Sequence, residues 1–193
     1  MSSAEGGVNR RDFLVRGLAH AAERAAAAIG DRIASVRHVR PPGALPEAGF
    51  IAACTRCGEC ASACPVNAIS LLGESAGIAR GTPVLHPELT ACIMCPDMPC
   101  SAHCPTSALA VPEDGWRSVR MAWITIDEDR CIAHRDVACG VCARVCPVGE
   151  RALSLDQLGR PVVGAACTGC GICVTACVTE PGSIHASAGP ARA

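Results

Sequence analysis

Apolar residues near the start of the chain recur at the spacing of an α-helix. They occur every three or four residues, at Leu14, Leu18, Ala21, Ala25, Ile29, Ile33 and Val36. Charged residues such as Glu23, Arg24 and Asp31 lie between them, so one face is apolar and the other polar. We therefore predict an amphipathic helix over residues 11–37. Because its apolar stripe is weak in size, we expect this helix to dock on its own domain or on a protein partner, and not in lipid.

After a proline-rich linker at residues 40–46, the apolar pattern changes to short β-type segments. Strands are predicted at residues 68–72, 84–85, 121–126, 152–155 and 183–185. Asp114-Gly115 is a hairpin-turn dipeptide, so residues 111–127 are predicted to form a β-hairpin. The chain of 193 residues has only 2 Phe and 2 Trp and no Tyr. A chain with so few large side chains needs a further source of stability.

Cysteine is the residue that can supply this stability. The 16 cysteines fall into four sets of four, with none left over. The sets are Cys54, Cys57, Cys60 and Cys64 (set 1); Cys92, Cys95, Cys100 and Cys104 (set 2); Cys131, Cys139, Cys142 and Cys146 (set 3); and Cys167, Cys170, Cys173 and Cys177 (set 4). Sets 1 and 4 have the spacing C-x2-C-x2-C-x3-C, while set 2 contains an x4 and set 3 an x7 interval. This spacing is typical of the bacterial run that holds a 4Fe-4S cluster through thiolates.

Two other uses of cysteine fit the spacing less well. A cysteine content above about 8% is typical of secreted disulfide scaffolds, but such frameworks repeat no fixed spacing, and C-x2-C neighbours pair poorly as structural bridges. Zinc ribbons use two well-separated C-x2-C knuckles, whereas here four cysteines fall within one short loop. We therefore predict four 4Fe-4S clusters. Cluster binding and folding should then be one process, and the metal-free chain should be largely disordered.

Composition and motifs argue against several other classes of function. The formal net charge of −1 gives no basis for a nucleic-acid partner. The uncharged stretch 161–179 contains proline, glycines and the fourth cysteine set, so it is predicted to be a cluster loop and not a membrane span. Haem-attachment, radical-cluster and dinucleotide motifs are absent from the sequence. His103 and His134 lie in cluster loops, where we expect hydrogen bonding and not ligation. We therefore predict that the chain is an electron-transfer protein or a subunit of an oxidoreductase system, and that it is not itself an enzyme.

The two irregular spacings carry a family resemblance. The runs C-I-M-C-P-D-M-P-C and C-I-A-H-R-D-V-A-C and the closing C-T-G-C-G-I-C-V-T-A-C-V-T-E occur in the order found in the NapG/MauM family of four-cluster ferredoxin-type proteins. The resemblance extends over residues 45–187. It implies an α+β fold of tandem bacterial dicluster ferredoxin-like modules, built from short strands, cluster loops and short helices. It also implies a relay of electrons from a membrane quinol oxidase or dehydrogenase to a terminal oxidoreductase.

The four sets can be paired in two ways. In bacterial two-cluster ferredoxins the last cysteine of each run ligates the other cluster. The series pairing assigns Cys54, Cys57, Cys60 and Cys104 to cluster 1; Cys92, Cys95, Cys100 and Cys64 to cluster 2; Cys131, Cys139, Cys142 and Cys177 to cluster 3; and Cys167, Cys170, Cys173 and Cys146 to cluster 4. The nested alternative pairs set 1 with set 4 and set 2 with set 3. The separation of sets 3 and 4 is close to that in a two-cluster ferredoxin, so the series pairing is preferred.

These predictions define the organisation of the chain. The expected segments are an N-terminal arm and helix (1–40), a first dicluster unit (41–110), a hairpin insertion (111–127), a second dicluster unit (128–187) and a tail (188–193). We expect Trp116 and Trp123, on the hairpin, to cover an otherwise exposed cluster. An alternative function is that of a cluster-bearing maturation or assembly factor for a redox enzyme.

The location of the protein rests on the N-terminal segment. Residues 9–16 resemble a twin-arginine export signal, which would place the protein in the periplasm. An export signal also needs an uninterrupted apolar region, and here charged residues interrupt it. We therefore expect a cytoplasmic protein that retains residues 11–37 and is associated with a membrane, if at all, only through a partner.

Overall fold

The computed structural model describes residues 37–189, in which every regular element is short. Its α-helices are α1 (Glu47–Ala53), α2 (Glu59–Ser62), α3 (Pro99–Ala102), α4 (Val141–Arg144) and α5 (Ile172–Thr175). Its strands are β1 (Ile69–Leu71), β2 (Pro83–Leu85), β3 (Trp123–Ile126), β4 (Leu153–Leu155), β5 (Pro161–Val163) and β6 (Ile184–Ser187). Short 3-10 helices lie at Glu74–Ala79, Gly115–Arg117, Ile132–Arg135 and Gly149–Arg151. The helix predicted over residues 11–37 lies outside the described residues, apart from Arg37, and stays a prediction.

The strands pair in the same way in each half of the described chain. Three two-stranded antiparallel sheets are formed: β1 pairs with β2 and β4 with β5, and each of these hairpins joins two consecutive cysteine sets. β3 pairs with β6 at the two ends of the second half. A single bridge between Ala44 and Leu109 has the equivalent position in the first half. We call residues 44–109 unit one and residues 123–187 unit two; each is two cysteine sets joined by a hairpin and closed where its ends meet.

The four short helices α2–α5 all begin after a residue with left-handed backbone. Gly58, Gly140 and Gly171 precede α2, α4 and α5 with φ of 81°, 81° and 86°. Met98 precedes α3 with φ of 43°, a conformation that costs a non-glycine residue roughly 1–2 kcal/mol. Met98 is only 1% exposed, so burial of its side chain offsets this strain. The tight turn places the third cysteine of each set as the second residue of the helix.

Each unit has a small apolar core that includes cysteines. In unit one it is built around Phe50, Met98 and Leu109, which are almost completely buried. In unit two it is built around Ile124, Leu153 and Ile184. Buried cysteines complete both cores: Cys60, Cys100 and Cys170 in the first, and Cys142 and Cys173 in the second. Helix α2 packs against α3, and α4 against α5, so the sets that share a unit also share a core. Within residues 37–189, no helix is long and apolar enough to cross a membrane.

Two predictions about strands need correction. The hairpin predicted over residues 111–127 does not form, because β3 pairs with β6 and Gly115–Arg117 is a 3-10 helix. Pairing with β6 places Ile126 of β3 opposite the apolar residue Ile184. The Asp-Gly dipeptide favours a turn only locally, so it does not outweigh this pairing. The segment predicted as a cluster loop over 161–179 begins with β5, which the sequence interpretation missed. The remaining predicted strands coincide with β1, β2, β3, β4 and β6 to within a few residues.

Candidate iron–sulfur cluster sites

Twelve cysteines surround three small cavities with almost entirely apolar linings. Site 1 is lined by Cys54, Cys57, Cys60 and Cys104; site 2 by Cys64, Cys92, Cys95 and Cys100; and site 4 by Cys146, Cys167, Cys170 and Cys173. Each cavity combines three cysteines of one set with the last cysteine of the neighbouring set. This grouping is that of the series pairing. It arises because the hairpin between two sets folds their helices against each other.

The other four cysteines all belong to unit two, and we call them site 3: Cys131, Cys139, Cys142 and Cys177. Burial, and then the nearby thiols of Cys131 and Cys139, raise the pKa of Cys142. Cys142 and Cys177 pack against the same core. Because unit two repeats the plan of unit one, we assign site 3 the position that site 1 has in unit one.

The geometry of the thiols suits a group with several metal atoms. All 16 cysteines are free thiols. Within residues 37–189, no three Cys, His, Asp or Glu side chains converge as ligands of a single metal ion. Four thiolates on one zinc ion lie only ~3.8 Å apart, because each Zn–S bond is about 2.3 Å. At sites 1, 2 and 4 the thiols instead surround a cavity, which fits a cluster in which each thiolate binds its own iron.

The loop backbone is arranged to stabilise negative charge on the sulfurs. Arg56, Met94 and Gly169, each two residues after the first cysteine of its set, have φ of 62°, 56° and 72°. In this conformation the backbone N–H of Met94 reaches back to the thiol of Cys92, and that of Gly169 reaches the thiol of Cys167. Alternation of left- and right-handed residues turns successive N–H groups toward one point and forms an anion-binding concavity. The residues present therefore fit a 4Fe-4S cluster.

Burial makes several of these thiols reluctant to ionise without metal. Burial raises the pKa of Cys60 to about 11. It also raises the pKa of Cys92 to about 12 and that of Cys173 to about 12, with neighbouring thiols adding to the effect. Iron binds the thiolate and displaces its proton. Cluster insertion at these sites must therefore release protons.

At two cysteines, Cys177 and Cys104, hydrogen bonds to the sulfur outweigh burial and lower the pKa of the thiol. At Cys177, burial alone would raise the pKa, but hydrogen bonds, led by those of Ser183 and Thr179, lower it to about 7. Their hydroxyl oxygens lie 3.3 Å and 3.2 Å from the sulfur. At Cys104, hydrogen bonds led by the backbone N–H of Leu109, 3.4 Å from the sulfur, outweigh burial and lower the pKa.

Sequence interpretation missed these hydroxyls, although one signal was available. A threonine follows two residues after the last cysteine in sets 2 and 4, at Thr106 and Thr179, but not in sets 1 and 3. The hydroxyl of Thr106 lies 3.8 Å from the sulfur of Cys104, a longer contact than that of Thr179. Ser183 could not be found this way, because its contact with Cys177 depends on the turn that leads into β6.

The aromatic and histidine residues of the loops take structural positions. Trp116 lines site 2, and its indole N–H donates to the carbonyl oxygen of Cys95 at 3.0 Å, so it covers a cluster site as predicted. Trp123 is 51% exposed and lines none of the three cavities, so the structure does not support the prediction that it covers a cluster. His103 Nδ1 lies 2.8 Å from the carbonyl oxygen of Pro99. His134 Nδ1 lies 3.7 Å from the carboxylate of Glu128.

Comparison with known proteins identifies the two units independently. Residues 53–108 and residues 123–178 each match a 4Fe-4S dicluster domain family. The methylamine utilization ferredoxin-type protein MauM of Paracoccus denitrificans is 42% identical over 158 residues, covering 77% of this chain and 70% of the relative. The ferredoxin-type protein NapG of Escherichia coli is 36% identical over 165 residues, covering 79% and 71%. The polyferredoxin-like subunit of an aliphatic sulfonate oxidoreductase of Pyrococcus furiosus is 28% identical over 130 residues, covering 64% and 66%.

No solved structure matches the chain. The fold class predicted from the sequence is confirmed at the level of tandem dicluster domains with short strands and helices. The identities to MauM and NapG extend over most of the chain and include both dicluster domains. The chain therefore belongs to the family of ferredoxin-type 4Fe-4S electron-transfer proteins that includes MauM and NapG, which are electron carriers and not enzymes.

Proposed function

We propose that the chain binds four 4Fe-4S clusters, one at each of sites 1–4, and relays electrons one at a time between two redox proteins. The observation that carries this proposal is the grouping of cysteines from neighbouring sets around common cavities. A bound 4Fe-4S cluster supplies reversible one-electron chemistry. The ligands proposed for each cluster are the four cysteines of the corresponding site, as in the series pairing.

The residues around the cysteines would set the redox properties of each site. Apolar side chains such as Val66 and Val148 line sites 2 and 4 and exclude water from the sulfurs. Backbone N–H groups and the hydroxyls of Ser183 and Thr179 donate toward sulfur. Burial, nearby charge and hydrogen bonds to sulfur are the means by which a protein tunes the potential of a cluster.

The partners are proposed from the relatives. One relative is named for methylamine utilization and another as a subunit of an aliphatic sulfonate oxidoreductase. We therefore propose that one partner of this chain is a terminal oxidoreductase. On the other side of the relay, a membrane quinol oxidase or a dehydrogenase would supply the electrons.

Cofactor content tests the core of the proposal. Protein purified without oxygen should contain about sixteen iron and about sixteen sulfide per chain. It should be brown and should bleach reversibly on reduction. Zinc as the dominant metal, or eight disulfides detected by mass, would contradict the proposal.

Electron transfer to a partner separates the relay from its alternative. Protein reduced in all four clusters should be rapidly reoxidised when the partner oxidoreductase and its substrate are added. Tight stoichiometric binding to a cofactor-free enzyme without such turnover would favour the assembly-factor function instead.

A further inference from the structure

The two units meet at loops that belong to sites 2 and 4. The backbone N–H of Cys92, in site 2, donates to the carbonyl oxygen of Cys170, in site 4, at 2.9 Å. The hydroxyl of Thr168 also donates to the sulfur of Met94 at 3.4 Å. Both contacts join the loop of set 2 to the loop of set 4. Ligand cysteines of the two sites are thus connected by one hydrogen bond between their backbones.

Two glycines of the set 4 loop allow neighbouring segments of the chain to pack closely against it. A Cβ atom on Gly171 would lie 2.4 Å from the Cβ of Pro87, and one on Gly169 would lie 2.2 Å from the carbonyl oxygen of Ala122. Real Cβ atoms do not approach other heavy atoms this closely. The backbone N–H of Met121 donates to the carbonyl oxygen of Thr168 at 2.8 Å. The set 4 loop is therefore held tightly between two segments that precede unit two in the chain.

The junction between the units is also dry. Thr168 and Cys170 are 3% and 8% exposed, and Cys170 packs in the core of unit one. A buried, hydrogen-bonded contact between ligand loops is a favourable path for electron tunnelling, since the tunnelling rate falls steeply with distance.

We propose that electrons cross between the two units at the contact between the Cys92 and Cys170 loops, so that the sites lie in the order 1, 2, 4, 3. This order rests on the proposed four-cluster function and goes beyond it. One electron passes at each crossing, and no bond forms or breaks: iron at one of the two inner sites is oxidised while iron at the other is reduced. Sites 1 and 3 are then the terminal sites at which the two redox partners bind.

The surfaces of the two outer sites agree with this order. Cys57 of site 1 is exposed, whereas the first and third cysteines of set 4 are partly or fully buried. At site 3, residues 135–138 of the x7 interval are exposed. Each outer site therefore has an accessible loop beside its cysteines, whereas residues 168–171 of the set 4 loop are buried. The set 2 loop is partly buried where it meets set 4 and is exposed at Ile93 and at residues 96–97.

Magnetic coupling between reduced clusters tests the order directly. Reduced 4Fe-4S clusters are paramagnetic, so neighbouring clusters split or broaden each other's electron paramagnetic resonance signals. The variant Cys95→Ala should lose the cluster at site 2. The cluster at site 1 should then have no neighbour, and its signal should show no splitting. The matched variant Cys57→Ala should lose the cluster at site 1 and leave the coupling between sites 2 and 4 unchanged. Iron content reports which variants retain the other three clusters.

A second pair of variants tests the contact without removing a ligand. Gly171→Ala forces a Cβ to within 2.4 Å of Pro87. Gly58→Ala is the matched control, because Gly58 has the equivalent loop position, with φ of 81°, and its added Cβ would lie at an ordinary contact distance of 3.9 Å from Leu71. Both carry the same backbone strain. We expect Gly171→Ala to weaken or abolish the coupling between the units at full iron content, and Gly58→Ala to retain it.

The outcomes separate the order of the sites from the function. A site 1 signal that stays split in Cys95→Ala, or unchanged coupling between the units in fully loaded Gly171→Ala, would overturn the order and leave the electron-transfer function standing. Wild-type protein without about sixteen iron per chain would overturn both. If Cys95→Ala loses all its clusters, the comparison of Gly171→Ala with Gly58→Ala decides whether the proposed order of the sites is correct.

Discussion

At the scale of single residues, a threonine hydroxyl beside the last cysteine of sets 2 and 4 distinguishes the outer sites from the inner ones. Sites 1 and 3 include the last cysteines of sets 2 and 4, which are Cys104 and Cys177, and both have a threonine hydroxyl nearby. The last cysteines assigned to sites 2 and 4 are followed by Pro-Val in both cases. A hydrogen bond to sulfur stabilises the more negative, reduced state of a cluster. We therefore expect these hydroxyls to raise the potentials of the clusters at sites 1 and 3.

The variant Ser183→Ala tests this effect at one sulfur. Ser183 is 2% exposed and its hydroxyl lies 3.3 Å from the sulfur of Cys177. Loss of one hydrogen bond of about 1 kcal/mol corresponds to roughly 40 mV for a one-electron couple. The midpoint potential of the site 3 cluster should fall by about that amount in a redox titration followed by electron paramagnetic resonance.

The control for this titration is Thr175→Ala. The hydroxyl of Thr175 is exposed and donates to the carbonyl oxygen of Ile172 at 3.1 Å. Its removal should leave all four potentials unchanged. A potential at site 3 that is equally unaffected in Ser183→Ala would show that this hydroxyl does not tune the cluster.

At the scale of secondary structure elements, a buried arginine holds α1 against the first hairpin. Arg40 pairs with Glu47 at the start of α1, and the two side chains are 7% and 11% exposed. Arg40 Nη1 also donates to the hydroxyl of Thr82 and the carbonyl oxygen of Pro83, at 2.9 Å and 2.6 Å. The guanidinium carbon lies 4.7 Å from the ring centre of Phe50. One side chain thus joins the linker, α1 and β2 over site 1.

The variant Arg40→Met should destabilise unit one strongly. It leaves the carboxylate of Glu47 buried without its partner, a change that costs about 3–5 kcal/mol. Unfolding of a cluster protein is not a two-state process, so the measurement is the rate at which iron–sulfur absorbance is lost on heating. We expect this loss to be much faster in the variant than in the wild type.

Arg80→Met is the matched control for this measurement. Arg80 pairs with Glu74 at 2.8 Å, but the two side chains are 63% and 79% exposed. Exposed pairs contribute at most about 1 kcal/mol, so cluster loss should be close to that of the wild type. Equal effects of the two substitutions would contradict a structural role for the buried pair.

At the scale of the whole molecule, the two units repeat one plan with different closures. Unit one is closed by the single bridge between Ala44 and Leu109, and unit two by the sheet of β3 and β6. The chain that joins the units passes Trp116 over site 2 and then places Met121 and Ala122 against the set 4 loop. The connecting segment is therefore part of the junction and does not act as a free linker.

The cellular location of the whole protein stays a prediction. Glu23, Arg24 and Asp31 interrupt the segment that would follow an export motif, and each charge costs about 2.5–3.5 kcal/mol at the centre of an inserted helix. We expect the protein to remain in the cytoplasm with residues 11–37 retained. N-terminal sequencing of the fractionated protein tests this; a chain recovered from the periplasm that starts after residue 30 would show the opposite.

Local sequence patterns were sufficient to predict the cluster chemistry and most of the short strands. Four complete cysteine sets, two of them with the unmodified C-x2-C-x2-C-x3-C spacing, predict thiolate-held clusters, because the intervals between ligands are set by one loop and its helix start. Strands β1 and β4 were predictable for the same reason, since the alternation of apolar and polar residues in Ile69-Ser70-Leu71 and Leu153-Ser154-Leu155 is a local property. The dicluster families that match residues 53–108 and 123–178 agree with this interpretation.

Tertiary structure alone decided which distant segments meet. The pairing of β3 with β6, the hydroxyl of Ser183 at Cys177, and the contact between Cys92 and Cys170 all join residues that no local pattern relates. Such contacts depend on which apolar faces and which glycines are available once the loops have formed. A single sequence therefore indicates what each loop binds, whereas the order of the sites along the molecule follows only from packing.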